Sequence, residues 1–177
     1  MNAFCALAKK AIETYFLEGK TLAVPKKMPA AFKKQAGVFV TIFNNGELRG
    51  CIGTYLPTTP NLAKEIIANA ISAATHDWRF PKITKEELPC LNYEVSVLEK
   101  PEIIKNLEEL DPKNFGIIVQ GANSHRSALL LPDLEGLDTK EKQLAACLHK
   151  ANINPAQEQI IIFKFKTKKY DANSREQ

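Results

Sequence analysis

The residues best equipped for chemistry form one short run, Leu48-Arg49-Gly50-Cys51-Ile52-Gly53, which sets a guanidinium and a thiol two residues apart among glycines. Glycine inside a strand gives up side-chain packing and loses extra backbone entropy, so this pair points to close approach by another backbone or a ligand. On a strand, Arg49, Cys51 and Gly53 share one face, while Leu48, Gly50 and Ile52 share the other. A free cysteine, with a pKa of about 8.5, is mostly thiol at neutral pH, and an adjacent cation lowers that value by one to several units. A drop of about two units ionises most of the thiol at pH 7, each unit being worth ~1.4 kcal/mol. Such a group attacks electrophiles or holds soft ligands. Cys51 is therefore a catalytic candidate, with Arg49, Gly50 and Gly53 as candidates for contacting substrate. The same pattern fits a small buried hydrophobe beside a surface arginine, and both readings stay open.

Two further clusters carry chemistry. In Thr75-His76-Asp77-Trp78-Arg79-Phe80-Pro81, an acid, a base, an aromatic ring and an imidazole crowd the exit of a helix. Asp77 is the second catalytic candidate, orienting a base or an arginine, and Arg79 is a candidate anion ligand. Hydrogen bonding within the loop is the plainer alternative. In His125-Arg126, at the start of Ser127 to Pro132, Arg126 stands roughly where Arg49 stands in the first half, so two hairpin arginines can flank one anion. The histidines at 76, 125 and 149 are scattered, and Cys5, Cys51, Cys90 and Cys147 show no CxxC spacing. That pattern argues against a zinc ribbon, a thioredoxin-like pair and an iron–sulfur centre. No metal and no cofactor is expected, and the thiols are expected to be free.

The elements that must position these residues are legible as periodicities. Phe4, Leu7, Ala8, Ala11, Ile12, Tyr15 and Phe16 recur at helical spacing, with Gly19 as a stop. Gly37 to Phe43 reads as an apolar strand meeting Asn45-Gly46, a hairpin signal of type I′, so the returning strand carries the glycine-cysteine run. Thr58 or Thr59 can cap the next helix, with Pro60 near its first position, and Leu62, Ile66, Ala70, Ile71 and Ala74 form its stripe. It should end near His76. Thr84 to Glu87 has capping-box form, and Leu91 to Val97 alternates as a half-exposed strand does.

The same order then returns. Phe115 to Val119 and Ala128 to Leu131 flank the turn Gly121-Ala122-Asn123-Ser124, Asp138 with Glu141 caps a helix striped by Leu144, Leu148 and Ala151, and Ile160 to Phe165 is a final strand. Element order alone suggests a duplicated ββαβ unit and an α+β domain of antiparallel or mixed sheet with packed helices.

A chain of 177 residues with 45% hydrophobic residues fits one domain with a real core. The N-terminus lacks a signal-peptide pattern and no apolar run reaches membrane-spanning length, so the expected location is the cytoplasm, with no membrane partner. With 24 basic against 20 acidic residues, the net charge of +4 permits nucleic acid without indicating it. Lys164, Lys166, Lys168 and Lys169 alternate with Phe163, Phe165 and Thr167, as on a solvated strand face or a guarded edge strand.

These motifs together resemble the AMMECR domain family. The resemblance is carried by Leu48 to Gly53, Asp77-Trp78-Arg79-Phe80-Pro81, Glu86-Glu87-Leu88-Pro89 and Glu94-Val95-Ser96-Val97-Leu98 in that order and spacing. The second half, from Leu129 to Thr139 with Glu141, Gln143 and Leu144, is similar to the bacterial branch called AmmeMemoRadiSam system protein A. The match covers nearly the whole chain, residues 1–177 being taken as a single domain of this type. It implies a larger and a smaller lobe around a cleft that holds the six-residue motif, and partners in a Memo-type protein and a radical SAM protein. Thr75-His76 and Ser127 depart from the family pattern, which argues against a role for His76. The family leaves activity unsettled. One hypothesis is an enzyme or ligand-handling partner using Cys51, with Arg49 or Arg126 on an anionic group; the other is a non-catalytic module binding a protein or RNA.

Overall fold

A computed structural model describes residues 2–24 and 26–171. Within them the chain divides into two compact units, one of the described residues up to 97 with 168–171, the other of residues 98–167.

The first unit opens with helix α1 (Ala3–Glu18), capped by the Asn2 side chain and ended by Gly19 in the left-handed conformation, as its periodicity predicts. A short helix α2 (Ala30–Lys33) follows, then strands β1 (Val38–Asn44) and β2 (Glu47–Thr54), joined by Asn45 and Gly46, both at positive φ. Helix α3 (Leu62–Thr75) ends at His76. A 3₁₀ turn at Lys85–Cys90, closed by the Thr84/Glu87 capping box, leads into β3 (Leu91–Leu98). Val38, Val40 and Ile42 of β1 turn to the helices and are fully buried, with α3 on β1 and β2, and α1 on α3.

The second unit contains β4 (Glu102–Ile103), β5 (Gly116–Gly121), β6 (Ser127–Leu130), α4 (Lys140–Ala151) and β7 (Ile160–Phe165). Its core gathers Ile117 and Val119 of β5 with Cys147, Ala151 and Ile153 from α4 and its exit. The last strand, β8 (Thr167–Tyr170), returns to the first sheet.

The two sheets run β2-β1-β3-β8 and β6-β5-β7-β4, and β1 pairs antiparallel with β2 and β3, β5 with β6 and β7, and β4 with β7. In each, a hairpin is followed by a helix and by a third strand that pairs with the hairpin's first strand. The duplicated ββαβ order therefore extends to topology, and the α+β class with antiparallel sheets stands. No helix among the described residues is long and apolar enough to cross a membrane.

Both predicted helix starts shift. The cap of α3 is Asn61, whose side chain accepts the Lys64 amide at 3.0 Å. Thr58 and Thr59 are committed elsewhere. Their amides donate to the buried Glu65 carboxylate at 3.0 and 2.8 Å, joined by the Thr58 hydroxyl at 2.8 Å and the Thr54 hydroxyl. Burial alone would raise the Glu65 carboxyl, yet these donors outweigh it and hold its pKa below the ordinary value. For α4 the cap is Thr139, while the neighbouring Asp138 pairs with Lys142 at 2.6 Å. The lysine-rich stretch is not one strand either. It is cut at Lys166, so β7 and β8 serve different sheets, and Lys164 is spent on Glu109 at 2.8 Å.

Candidate functional site

Strand β2 lies at the edge of the first sheet, and the site is built on that edge. Gly50 faces α3 so closely that a Cβ there would overlap the Ala73 carbonyl oxygen, and a Cβ at Gly53 would meet the Phe39 ring and the Val38 carbonyl. The glycines thus admit a helix backbone on one side and an aromatic ring on the other. This is the close approach the sequence implied, though made by the protein itself.

Pairing between β1 and β2 slips at one point. Thr41 opposes Cys51 and Ile42 opposes Gly50, but Phe43 opposes Leu48, leaving Arg49 as the unpaired residue of a bulge. The bulge corrects the alternation expected from sequence, because Leu48 joins Cys51 on the face away from α3. It also re-aims Arg49. The guanidinium donates to Glu87 through Nε at 2.7 Å and Nη2 at 3.1 Å, and through Nη1 to the Pro81 carbonyl at 2.8 Å. Arg49 holds the Glu87 carboxyl below its ordinary pKa against the opposing effect of burial, with the Thr84 amide and Asn44 adding to the pull.

The Cys51 main chain is held from outside the sheet. Its amide donates to Asp77 Oδ2 at 2.8 Å, and its carbonyl accepts from Arg79 Nη2 at 3.3 Å. The loop leaving α3 therefore does for Cys51 what a neighbouring strand would do, and closes an exposed edge. That loop is rigid by its own chemistry. Asp77 Oδ1 accepts the Arg79 amide at 3.2 Å and Nε at 2.9 Å, Oδ2 accepts Nη2 at 2.7 Å, and the Phe80 amide reaches the Asp77 carbonyl at 3.0 Å. The paired arginine draws the Asp77 carboxyl down to about 2, although the residue is only 6% exposed.

The thiol itself is half-buried, 3.2 Å from the Thr41 hydroxyl. Burial raises its pKa and dominates, outweighing the lowering by Thr41 and by the Arg79 charge, while Asp77 and Glu94 add to the rise. Cys51 is thus a neutral thiol at physiological pH. The cation acting on it is Arg79, two-fifths exposed, whose Nη1 has no hydrogen-bond partner among the described residues. Cys5 and Cys147 are more inert, pushed up to about 11 by burial.

Arg49, Gly50, Cys51, Gly53, Asp77 and Arg79 all belong to the first unit. Arg126 belongs to the second, where it donates to the Asn152 carbonyl at 2.6 Å and to Glu158. In each unit an arginine of the hairpin, Arg49 within the returning strand and Arg126 just before it, is tied to a glutamate ahead of the third strand, Glu87 or Glu158, a second trace of the repeat. The His76 imidazole meets the Thr75 hydroxyl at 2.6 Å, its one side-chain partner among the described residues, and its amide donates to the Ser72 carbonyl at 2.7 Å. No cluster of three metal-ligating side chains occurs among the described residues. Sequence reasoning missed Thr41, because counting back evenly from Asn45-Gly46 pairs it with Gly50, one residue short of the bulged register.

Trp78, the chain's single tryptophan, projects from the clamped loop with 91% of its surface exposed. Its fluorescence should already lie at the solvent position in the native state and shift little on unfolding in urea, and acrylamide should quench it freely. A native emission well to the blue would contradict this placement.

The architecture and site define an α+β protein of two ββαβ units whose edge strand is clamped by an Asp–Arg pair. The chain belongs to the AMMECR1 family, whose model matches residues 5–170. It is 46% identical over 165 residues to a Thermotoga maritima protein, covering 92% of this chain and 94% of that one. A Clostridium acetobutylicum protein is 40% identical over 162 residues, 90% of this chain but 34% of its own length. The crystal structure of an uncharacterised Pyrococcus horikoshii protein superposes with a TM-score of 0.86 at 34% identity, covering 96% of this chain and 90% of that one.

Proposed function

We propose that the chain is a cytoplasmic accessory component of the AmmeMemoRadiSam system protein A kind, acting with a Memo-type protein and a radical SAM protein. On this reading, its β2 site holds an anionic group of a ligand beside the Cys51 thiol. One observation carries the site: Arg79 is oriented by the buried Asp77, stands against the Cys51 main chain, and keeps one guanidinium nitrogen for a ligand. Asp77 positions that guanidinium. Gly50 and Gly53 keep the strand close-packed beneath it, and the neutral thiol contacts the ligand, losing its proton only when one is taken from it. Arg49, occupied by Glu87, holds the loop against β2.

The test compares anionic iodoacetate with neutral iodoacetamide, read site by site by peptide mass spectrometry. Iodoacetate should favour Cys51 over the exposed Cys90 several-fold more than iodoacetamide does. Arg79→Gln should erase that preference and Arg79→Lys should retain part of it. Equal ratios for the two reagents in the wild-type chain would overturn the anion site.

A second reading, a non-catalytic docking module, is favoured by Trp78. Large aromatic side chains on a rigid support are typical anchors for protein partners. Trp78 does not lie in a basic run, which favours a protein over RNA. Co-expression with the Memo-type and radical SAM proteins distinguishes the readings: under the docking reading Trp78→Ala abolishes capture of a partner and leaves the alkylation preference intact.

A further inference from the structure

The first unit contains an apolar cavity of about 280 Å³ that shares no lining residue with the Cys51 site. Ala6 and Leu7 of α1 form one wall, and Met28 and Phe32 form the other. The hollow exists because α1 presents alanine where larger side chains would close the gap. Its far wall is preformed, since Phe32 packs edge-on against Phe4 at 4.7 Å, which packs in turn against Tyr170 at 4.6 Å. The hollow is open to solvent on one side, so an apolar guest gains by covering walls that water solvates poorly.

The charges at its margin have one sign. Lys10 and Lys27 are the charged residues of the lining, both exposed, and neither forms an ion pair with a carboxylate among the described residues. Apolar walls under two uncompensated ammonium groups complement a molecule with a hydrocarbon body and an anionic head. A space of about 280 Å³ lies at the small end of ligand pockets, which suits a short aliphatic chain over a larger molecule. We propose that this cavity binds a medium-chain aliphatic carboxylate, its chain against Leu7, Met28 and Phe32 and its carboxylate between Lys10 and Lys27.

The probes are octanoate, octanol and octylammonium, titrated into isotopically labelled protein and followed by amide and methyl chemical shifts. Octanoate should saturate a single site, shifting resonances of Leu7, Met28 and Phe32, and should bind at least ten-fold more tightly than octylammonium. Lys10→Ala/Lys27→Ala should reduce octanoate to the affinity of octanol while leaving octanol unchanged. Ala6→Phe, a change at an exposed helix position that fills the hollow, should abolish binding of all three. Shifts scattered over other surfaces, equal affinity for octanoate and octylammonium, or octanoate binding untouched by the lysine replacements would each overturn the proposal. The lysine variant alters only surface groups, so it tests the idea even where Ala6→Phe disturbs packing, which thermal melting reports.

Discussion

Gly50→Ala should destabilise the first unit by about 3–5 kcal/mol, at the upper end of what overpacking costs. The added Cβ meets the Ala73 carbonyl oxygen, with the Ala73 carbonyl carbon at 3.3 Å behind it. Both are main-chain atoms in the last turns of α3. They cannot rotate away as a side chain would, so relief requires sliding the helix off β1 and β2 or lifting β2 from the sheet. Gly46→Ala supplies the contrast. Gly46 adopts a φ of 87° in the hairpin turn, but a Cβ there meets nothing within 4 Å, so its cost is conformational only, about 1 kcal/mol. Urea unfolding of the two variants beside the wild type reads the difference directly. If Gly50→Ala costs no more than Gly46→Ala, helix approach is not what the glycine serves.

That comparison shows where sequence stops. Asn45-Gly46 is legible because a tight two-residue hairpin of this hand needs positive φ at both central residues, and few side chains tolerate it. The hairpins, the three long helices and β7 are legible for similarly local reasons. Gly50 is harder. Its neighbourhood advertises close approach but not by whom, and the approaching group lies 23 residues away on α3.

The bulge at Arg49 had the largest consequence for the site, and the sequence has no mark for it beyond the glycine that follows. One extra residue moves Leu48 to the Cys51 face, turns Arg49 to Glu87, and changes the thiol's cross-strand neighbour from the expected position to Thr41. The thiol activation expected from Arg49 therefore rests on Arg79 instead, and burial outweighs it. Helix starts shifted for a related reason. Thr58 and Thr59 look like caps, but a carboxylate one turn into the helix claims their amides first. Strands β4 and β8, of two and four residues, are too short to carry a period, and the break at Lys166 falls without glycine or proline. Which of several partners a polar group takes is settled by tertiary geometry, and that is where local pattern gives out.

Asp77→Asn should cost about 2–3 kcal/mol at neutral pH and should remove a specific piece of the acid denaturation profile. In the wild type the Asp77 carboxyl titrates near 2 in the folded state against an ordinary value of 3.8, because the Arg79 guanidinium and the Cys51 amide bind its ionised form. A carboxyl depressed by folding contributes stability that is fully present above its unfolded pKa and is lost as pH falls through the folded one. The contribution is therefore intact above about pH 5 and fades between pH 4 and 2. The shift corresponds to about 2 kcal/mol, and since the outer part of Arg79 lies in water, screening keeps it from being larger. Asparagine keeps the shape and one acceptor oxygen but offers an N–H group where Arg79 or Cys51 donates. Its stability should then vary less between pH 5 and 2 than that of the wild type, by about the same 2 kcal/mol. Hydrogen exchange supplies a local check, because the Cys51 amide should exchange markedly faster in the variant while the amide of Val40, buried inside the sheet, changes only with global stability. If the two pH profiles run parallel, or the Cys51 amide stays protected, the Asp77 carboxylate does not secure the edge of β2.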